Sequence, residues 1–174
     1  MIAAAAFGLP FALLVAAEPA RAELTRTDVF VAARAIGFIA KTGSHDLRVG
    51  IVVAPDSAQS VQDGNQLKAI FGTELRVGDN LLKPVMLRTD QVEGAVVELF
   101  FLTEGARADS SKVSSASKRR KIPCITFDLA QVRSGACAIG VQTRPKIEIF
   151  VNRKAAAESS TIFSSIFRLM ITKY

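Results

Sequence analysis

The chain contains no tryptophan, one tyrosine, one histidine and two cysteines among its 174 residues. The single histidine, His45, stands beside Asp46 in a stretch that reads as a loop. A histidine-rich metal site is thereby excluded, and a Ser–His–Asp site would have to be built around that one residue. Cys124 and Cys137 are not spaced as a zinc pair. No glycine-rich phosphate loop and no nucleophile elbow occurs. Paired carboxylates depend on neighbours in space, and Asp56 and Asp128 are accounted for equally well as helix caps. These absences point away from a hydrolase or transferase and toward a protein without metal or cofactor that works by binding.

Long apolar runs are scarce as well. The one extended run covers residues 1–17, and Ala20-Arg21-Ala22 has the small-x-small form of a signal-peptidase site. The segment 1–22 therefore reads as a signal peptide, cleaved after Ala22, that delivers the chain to the periplasm. A transmembrane anchor needs about 20 apolar residues, and Pro10, Glu18 and Pro19 interrupt the run first. A lipoprotein would need a cysteine near the cleavage site. No Lys or Arg precedes the apolar run, which fits a start internal to a longer signal.

What remains, residues 23–174, is about 150 residues, enough for one domain with its own core. The formal charge of +6 survives cleavage, because Glu18 and Arg21 leave together. Outside the cytosol such a balance suggests an acidic partner, an anionic membrane surface or solubility, and makes nucleic acid a poor choice. In an oxidising compartment the two cysteines most simply form one disulfide, which would stabilise the fold by roughly 3 kcal/mol. Two buried free thiols are the alternative.

The stretch 121–152, KIPCITFDLAQVRSGACAIGVQTRPKIEIFVN, holds both cysteines and three strand-like runs, at 122–126, 136–141 and 146–151. A helical turn at 128–134, stopped by a glycine, lies between the first two. This stapled cluster is expected to be what the rest packs against. Upstream, Thr27 or Asp28 can cap a helix running to about Lys41, with Phe30, Ala33, Gly37 and Ala40 on one face. The small residues admit close approach to a sheet, or to a second copy of the helix in a homodimer. LRVGIVVA at 47–54 is the clearest strand, apolar without alternation and so covered on both faces. Asp56 or Ser57 caps a helix ending near Phe71 and Gly72, with Gly64 weakening its middle. Strands follow at 74–77, 83–87 and 95–102. Helices are expected at 110–120, at 153–158 and, from the spacing of Phe163, Ile166, Phe167 and Met170, at 163–172. Strands alternating with helices predict an α/β fold: one layered domain, a central mixed β-sheet flanked by helices.

Two surfaces and one crevice suggest themselves for binding. The basic run Lys118, Arg119, Arg120 and Lys121 falls in the last turn of a helix, where it complements the dipole or meets a partner. The final helix, around Phe163 and Phe167, either docks on the sheet or offers an apolar face. Asp56, Ser57 and Asp128 each follow a buried strand, the place where open α/β sheets hold small ligands against helix N-termini.

The runs ITFDLAQVRSGACAIGV, PKIEIFVNRKAAA and FSSIFRLMI together resemble the C-terminal half of the YfiR/HmsC-like periplasmic proteins. That family reads strand, short turn, glycine step, strand, a second strand ending in Asn, an Ala-containing helix and a closing apolar helix. Gly135 holds the glycine step, Asn152 closes the strand, and Ala155, Ala156 and Ala157 open the helix. The N-terminal half fits in order, with RVGIVVAPD as the first strand and a helix around Leu67 to Phe71. Lys41-Thr42-Gly43 stands where the family often has an aromatic-Pro step, and Ser134 and Ala136 flank Gly135 where a second glycine is common. The resemblance spans most of the mature chain. It implies a non-enzymatic repressor of an inner-membrane diguanylate cyclase, bound at the enzyme's periplasmic sensor part, controlling cyclic-di-GMP and biofilm formation. Release would come through envelope or redox stress, with an outer-membrane lipoprotein as partner. KIPCITFDLAQVRSGACAIGV is also similar to the crossover of periplasmic solute-binding proteins, of which this chain would supply one lobe. A structural envelope protein without ligand is a third reading.

Overall fold

A computed structural model describes residues 23–39, 46–165, 167 and 171–173. The signal peptide expected at 1–22, His45 and the 41–43 departure lie outside the described residues. Strand β1 (Asp46–Val53) is an interior strand of the sheet, where a run of β-branched residues with both faces buried belongs. It pairs in parallel with β3 (Asn80–Arg88) on one side and with β4 (Leu99–Leu102) on the other. The sheet continues through β5 (Cys124–Thr126), β6 (Ile139–Gln142), β7 (Glu148–Val151) and β8 (Thr172–Lys173). Hairpin strand β2 (Leu75–Val77) closes the far edge, giving the order β2-β3-β1-β4-β5-β6-β7-β8 among the described residues. Five strands, β3, β1, β4, β5 and β6, are parallel; β2, β7 and β8 run against them. The fold is one α/β domain with a mixed sheet, as the alternation of elements predicts, but its organising strand is β1 rather than the stapled cluster, which forms one flank.

From β1 the chain passes through α2 (Ala58–Phe71) to β3, then crosses back to β4 and builds outward through α3 (Ser110–Arg120) and α4 (Leu129–Arg133). Because the chain winds in both directions from β1, its helices fall on opposite faces. Val29, Ala32 and Ile36 of α1 (Arg26–Ile36), with Leu67 and Phe71 of α2, pack on Ile51, Phe101 and Ile125. On the other face Val113 and Ala116 of α3 pack with Val52, Phe100, Leu102 and the Cys124–Cys137 disulfide. Helix α5 (Arg153–Glu158) is capped by Asn152, whose side chain accepts from the Ala155 N–H at 2.9 Å.

Gly64 is where α2 lies closest to the sheet: a Cβ there would stand 2.3 Å from Val53 Cγ1 and 3.0 Å from Met86 Cε. The glycine read as a weak point of the helix is therefore a packing requirement. Gly64→Ala would gain about 1 kcal/mol of helix propensity but force an overpacked contact costing about 1–3 kcal/mol. A net destabilisation of about 1 kcal/mol by urea unfolding is expected; a stabilised variant would refute the close-approach account.

Several expectations are corrected. Helix α1 is capped by Thr25, not Thr27 or Asp28, through a reciprocal box with Asp28, and it ends at Ile36. Its buried stripe is Val29, Ala32, Ala33 and Ile36, and Phe30 points outward. Strand β4 begins at Leu99 rather than Ala95. The Arg48 N–H donates to the Glu98 carboxylate at 2.7 Å, and the ladder starts one residue later. At the end of the chain, Phe163 bridges Ile39 and Thr172 belongs to β8, so neither terminus of the expected 163–172 helix is helical. Residues 166 and 168–170 lie outside the described residues.

Candidate ligand crevice at the carboxyl edge of the sheet

The carboxyl ends of β1, β4 and β5 are stitched together by buried hydroxyls. The Ala54 N–H donates to Ser60 Oγ at 2.8 Å, and Thr103 Oγ1 donates to the Val52 carbonyl at 3.0 Å. A hydroxyl has one proton, so the 2.6 Å contact between them must carry the proton of Ser60 toward Thr103. The Thr103 carbonyl accepts from Gln131 Nε2 at 3.0 Å, and Thr126 Oγ1 donates to Gln131 Oε1 at 2.7 Å. Ser60, Thr103, Thr126 and Gln131 are all buried. Each hydroxyl is consumed by structure, and none is poised as a nucleophile.

Two of the three residues expected at a crevice here, Ser57 and Asp128, have side chains engaged within the molecule. Ser57 caps α2, its Oγ accepting from the Ser60 N–H at 3.2 Å. Asp128 caps α4, accepting from the Ala130 N–H at 2.9 Å, and its second oxygen accepts from Arg107 Nε at 2.8 Å. Asp56 is exposed and lines none of the recesses described below. The space where a ligand's anion would meet the start of α2 is taken by Gly105, whose added Cβ would lie 2.3 Å from the Ser60 nitrogen. Ser57 and Asp128 are caps, Asp56 is an exposed turn residue, and Gly105 fills the space at the start of α2.

A different cavity opens beside it, with a volume of about 320 Å³. Its floor is Leu67 of α2 with Phe101 and Phe127, whose rings lie 5.2 Å apart at 52°. Gln59, Gln62, Asp63 and Gln66 of α2 form one wall, and Glu23 and Glu104 stand on the other sides. Asp63 is held in place, accepting from Gln59 Nε2 at 2.7 Å and from the Gly105 N–H at 3.2 Å. Sequence reading missed this wall. Its signal was the 59-62-63-66 spacing, one helix face of polar residues, which reads most readily as a solvated surface.

A second recess of about 280 Å³ adjoins it past Leu24 and ends at Asp28 and Arg144. Asp28 is buried; it accepts from the Thr25 N–H at 2.7 Å, from Arg144 at 3.2 Å and from the Thr143 hydroxyl. Burial pushes its carboxyl up, but the Thr143 and Thr25 donors and the Arg144 charge outweigh this and hold it below the usual aspartate range. With the folded value depressed, the stabilisation is complete above the unfolded value near pH 4 and is lost as pH falls through the folded one. Asp28→Asn is expected to flatten this acid dependence. Urea titrations from about pH 5 to pH 2 should show the two stabilities converging; parallel curves would contradict the assignment.

The basic run is engaged within the molecule. Lys118 pairs with Glu158 at 2.9 Å and Arg119 pairs with Glu93. Arg120 donates to the carbonyls of Val92, at 2.6 Å, and Ala95. Lys121 donates to the Glu158 carbonyl at 2.8 Å. These side chains tie α3 to the 92–95 loop and to the end of α5. Phe163 and Phe167 are buried too, Phe167 stacking on Phe38 at 4.9 Å, so these two rings dock on the domain.

Among the described residues, no group of three His, Cys, Asp or Glu side chains is placed to hold a metal ion, and no helix is long and apolar enough to cross a membrane. Fold and site together define a doubly wound α/β domain with a plugged anion position and an acidic, aromatic-floored cavity. No family model and no curated protein matches the chain. Among solved structures it is similar to a conserved domain protein from Vibrio cholerae O1 biovar El Tor, at 14% identity and a TM-score of 0.58, over 83% of this chain and 59% of that one. It is also similar to the ligand-free, open form of a substrate-binding protein with adhesive properties from Clostridium difficile, at 11% identity and a TM-score of 0.47, over 74% of this chain. The chain spans 59% and 54% of the lengths of these two proteins. The first likeness is one of fold.

Proposed function

We propose that the protein is a non-enzymatic periplasmic regulator, a repressor that binds the sensor part of an inner-membrane diguanylate cyclase and holds it inactive. The reading rests on the resemblance to YfiR/HmsC-like proteins, and one observation carries it. The positions that bear the resemblance act as one unit: Asn152 caps the helix holding Ala155 and Ala156, and its Nδ2 donates to the Val132 carbonyl of α4 at 2.8 Å. Gly135, at φ 77°, lets the chain turn beneath it into β6. Such a repressor acts only by preferring the inactive state of its target. An outer-membrane lipoprotein would release it by competing for the same protein.

Deleting the gene is expected to raise cyclic-di-GMP, and the purified chain should bind the isolated sensor domain. Unchanged cyclic-di-GMP together with no binding would overturn the proposal. The 320 Å³ cavity favours a second reading, a solute-binding-type module. Titration with small molecules, set against pull-down of membrane proteins, separates the two.

A further inference from the structure

We infer that the outer edge of β3, beyond the end of β2, is a strand-pairing surface for a second copy of this chain, held shut by Lys68, Pro84 and Gln91. The register sets the geometry. The Thr89 N–H donates to the Val53 carbonyl at 3.0 Å, so odd-numbered residues of β3 aim their backbone groups at β1 and even-numbered ones aim them away. Asn80 and Leu82 meet β2, which pairs no further. Pro84, Met86 and Arg88 then face no strand among the described residues. An edge of this kind is a template for another strand, and proline and lysine are the residues that blunt it.

The backbone groups along it are nearly all spoken for. Pro84 has no N–H to offer, and its carbonyl accepts from Lys68 Nζ of α2 at 3.0 Å. The Arg88 N–H donates to Gln91 Oε1 at 3.0 Å, and the Arg88 carbonyl accepts from the Gln91 N–H at 2.9 Å. Met86 alone keeps its N–H and its carbonyl open.

These same groups select the occupant. Antiparallel pairing of the edge with itself sets Met86 against its counterpart as a hydrogen-bonded pair and sets Pro84 opposite Arg88 at each flank. The missing proline N–H then falls opposite the Arg88 carbonyl, which Gln91 has already satisfied. An unrelated strand would leave a carbonyl unpaired at that place, a cost that a second copy avoids. The remaining flank bond would run from the Arg88 N–H to the Pro84 carbonyl, the two groups that the Gln91 and Lys68 side chains hold. Val85, between them and 37% exposed, would add apolar contact on the face away from α2. The inference is independent of the regulatory reading.

Sedimentation velocity of the full chain and of Lys68→Ala/Gln91→Ala, from about 10 µM to 1 mM, tests it. The unaltered chain is expected to remain monomeric through this edge, with a fast-exchanging Met86 amide. The double variant should associate to a dimer about tenfold or more tightly than the unaltered chain, each single variant falling between. Its Met86 amide should become protected from hydrogen exchange as concentration rises. Both substituted residues are exposed, so circular dichroism should be unchanged. Lys68→Met/Gln91→Ala, which keeps an apolar stem at position 68, gives the same readout should the alanine pair fail to fold. Three results would each overturn the inference: a folded variant that stays monomeric throughout, a variant dimer with an unprotected Met86 amide, or an unaltered chain already paired with that amide protected. None of them bears on repression of the cyclase.

Discussion

Replacing Cys124 and Cys137 together by alanine is expected to lower the unfolding free energy by about 3 kcal/mol, a fall of roughly 6–12 °C in melting temperature. The bridge spans 13 positions and encloses the end of β5, the Asp128 cap, α4 and Gly135. Cutting it frees that loop in the unfolded chain, which is where most of the loss arises. Helix α4 has only five residues, too few to persist by itself, so it depends on being held between two adjacent strands. The Ala138 N–H donates to the Cys124 carbonyl at 3.1 Å, next to the bridge, so the start of the β5–β6 pairing should loosen first. Hydrogen exchange at Ala138 and Ile139 would show that order. Chemical unfolding of the oxidised chain, the reduced chain and the double variant gives the energies. Equal midpoints for oxidised and reduced chains would refute a stabilising bridge.

Gly105→Ala should be as damaging, at about 3 kcal/mol, although it adds a single methyl group. The new carbon would lie 2.3 Å from the Ser60 nitrogen, 2.7 Å from the Ser60 Cα and 2.9 Å from the Gln59 carbonyl carbon. All three are backbone atoms of the first turn of α2, so no side chain can swing aside. Either the 3-10 segment Glu104–Asp109 or the helix must retreat. The Ser60–Thr103 hydroxyl contact and the Gly105 N–H to Asp63 bond stretch with it. Gly94→Ala is the control: nothing lies within 4 Å of its Cβ, and a change within about 0.5 kcal/mol is expected. Matching stabilities for the two variants would mean that the contact is not tight.

The parts of this fold that can be read from sequence are those set by local chemistry. The β-branched run at 47–53 could hardly be anything but a buried strand. Helix α3 begins and ends where its polar composition and basic last turn predict, and α5 follows its Asn cap. The Thr25/Asp28 box was there to be read, as Thr-x-x-Asp, but Thr27 and Asp28 competed for the same role. What could not be read depends on partners distant in sequence. Strand β4 starts where Arg48 captures Glu98, fifty residues away. Phe163 and Phe167 are held by Ile39 and Phe38, more than a hundred residues earlier. The cavity was hidden for a related reason. Its aromatic floor and polar wall come from segments whose separate patterns each have an ordinary explanation, and only the fold brings them together.

The place of β1 in the sheet has a bearing on how the chain is made. One of its edges is covered by β3, complete at Arg88, but its other partner does not begin until Leu99. During synthesis, an eight-residue strand therefore waits with one row of backbone donors and acceptors bare. That interval is when a foreign strand could most easily be added, and holding chaperones would be needed most while residues 89–98 are emerging.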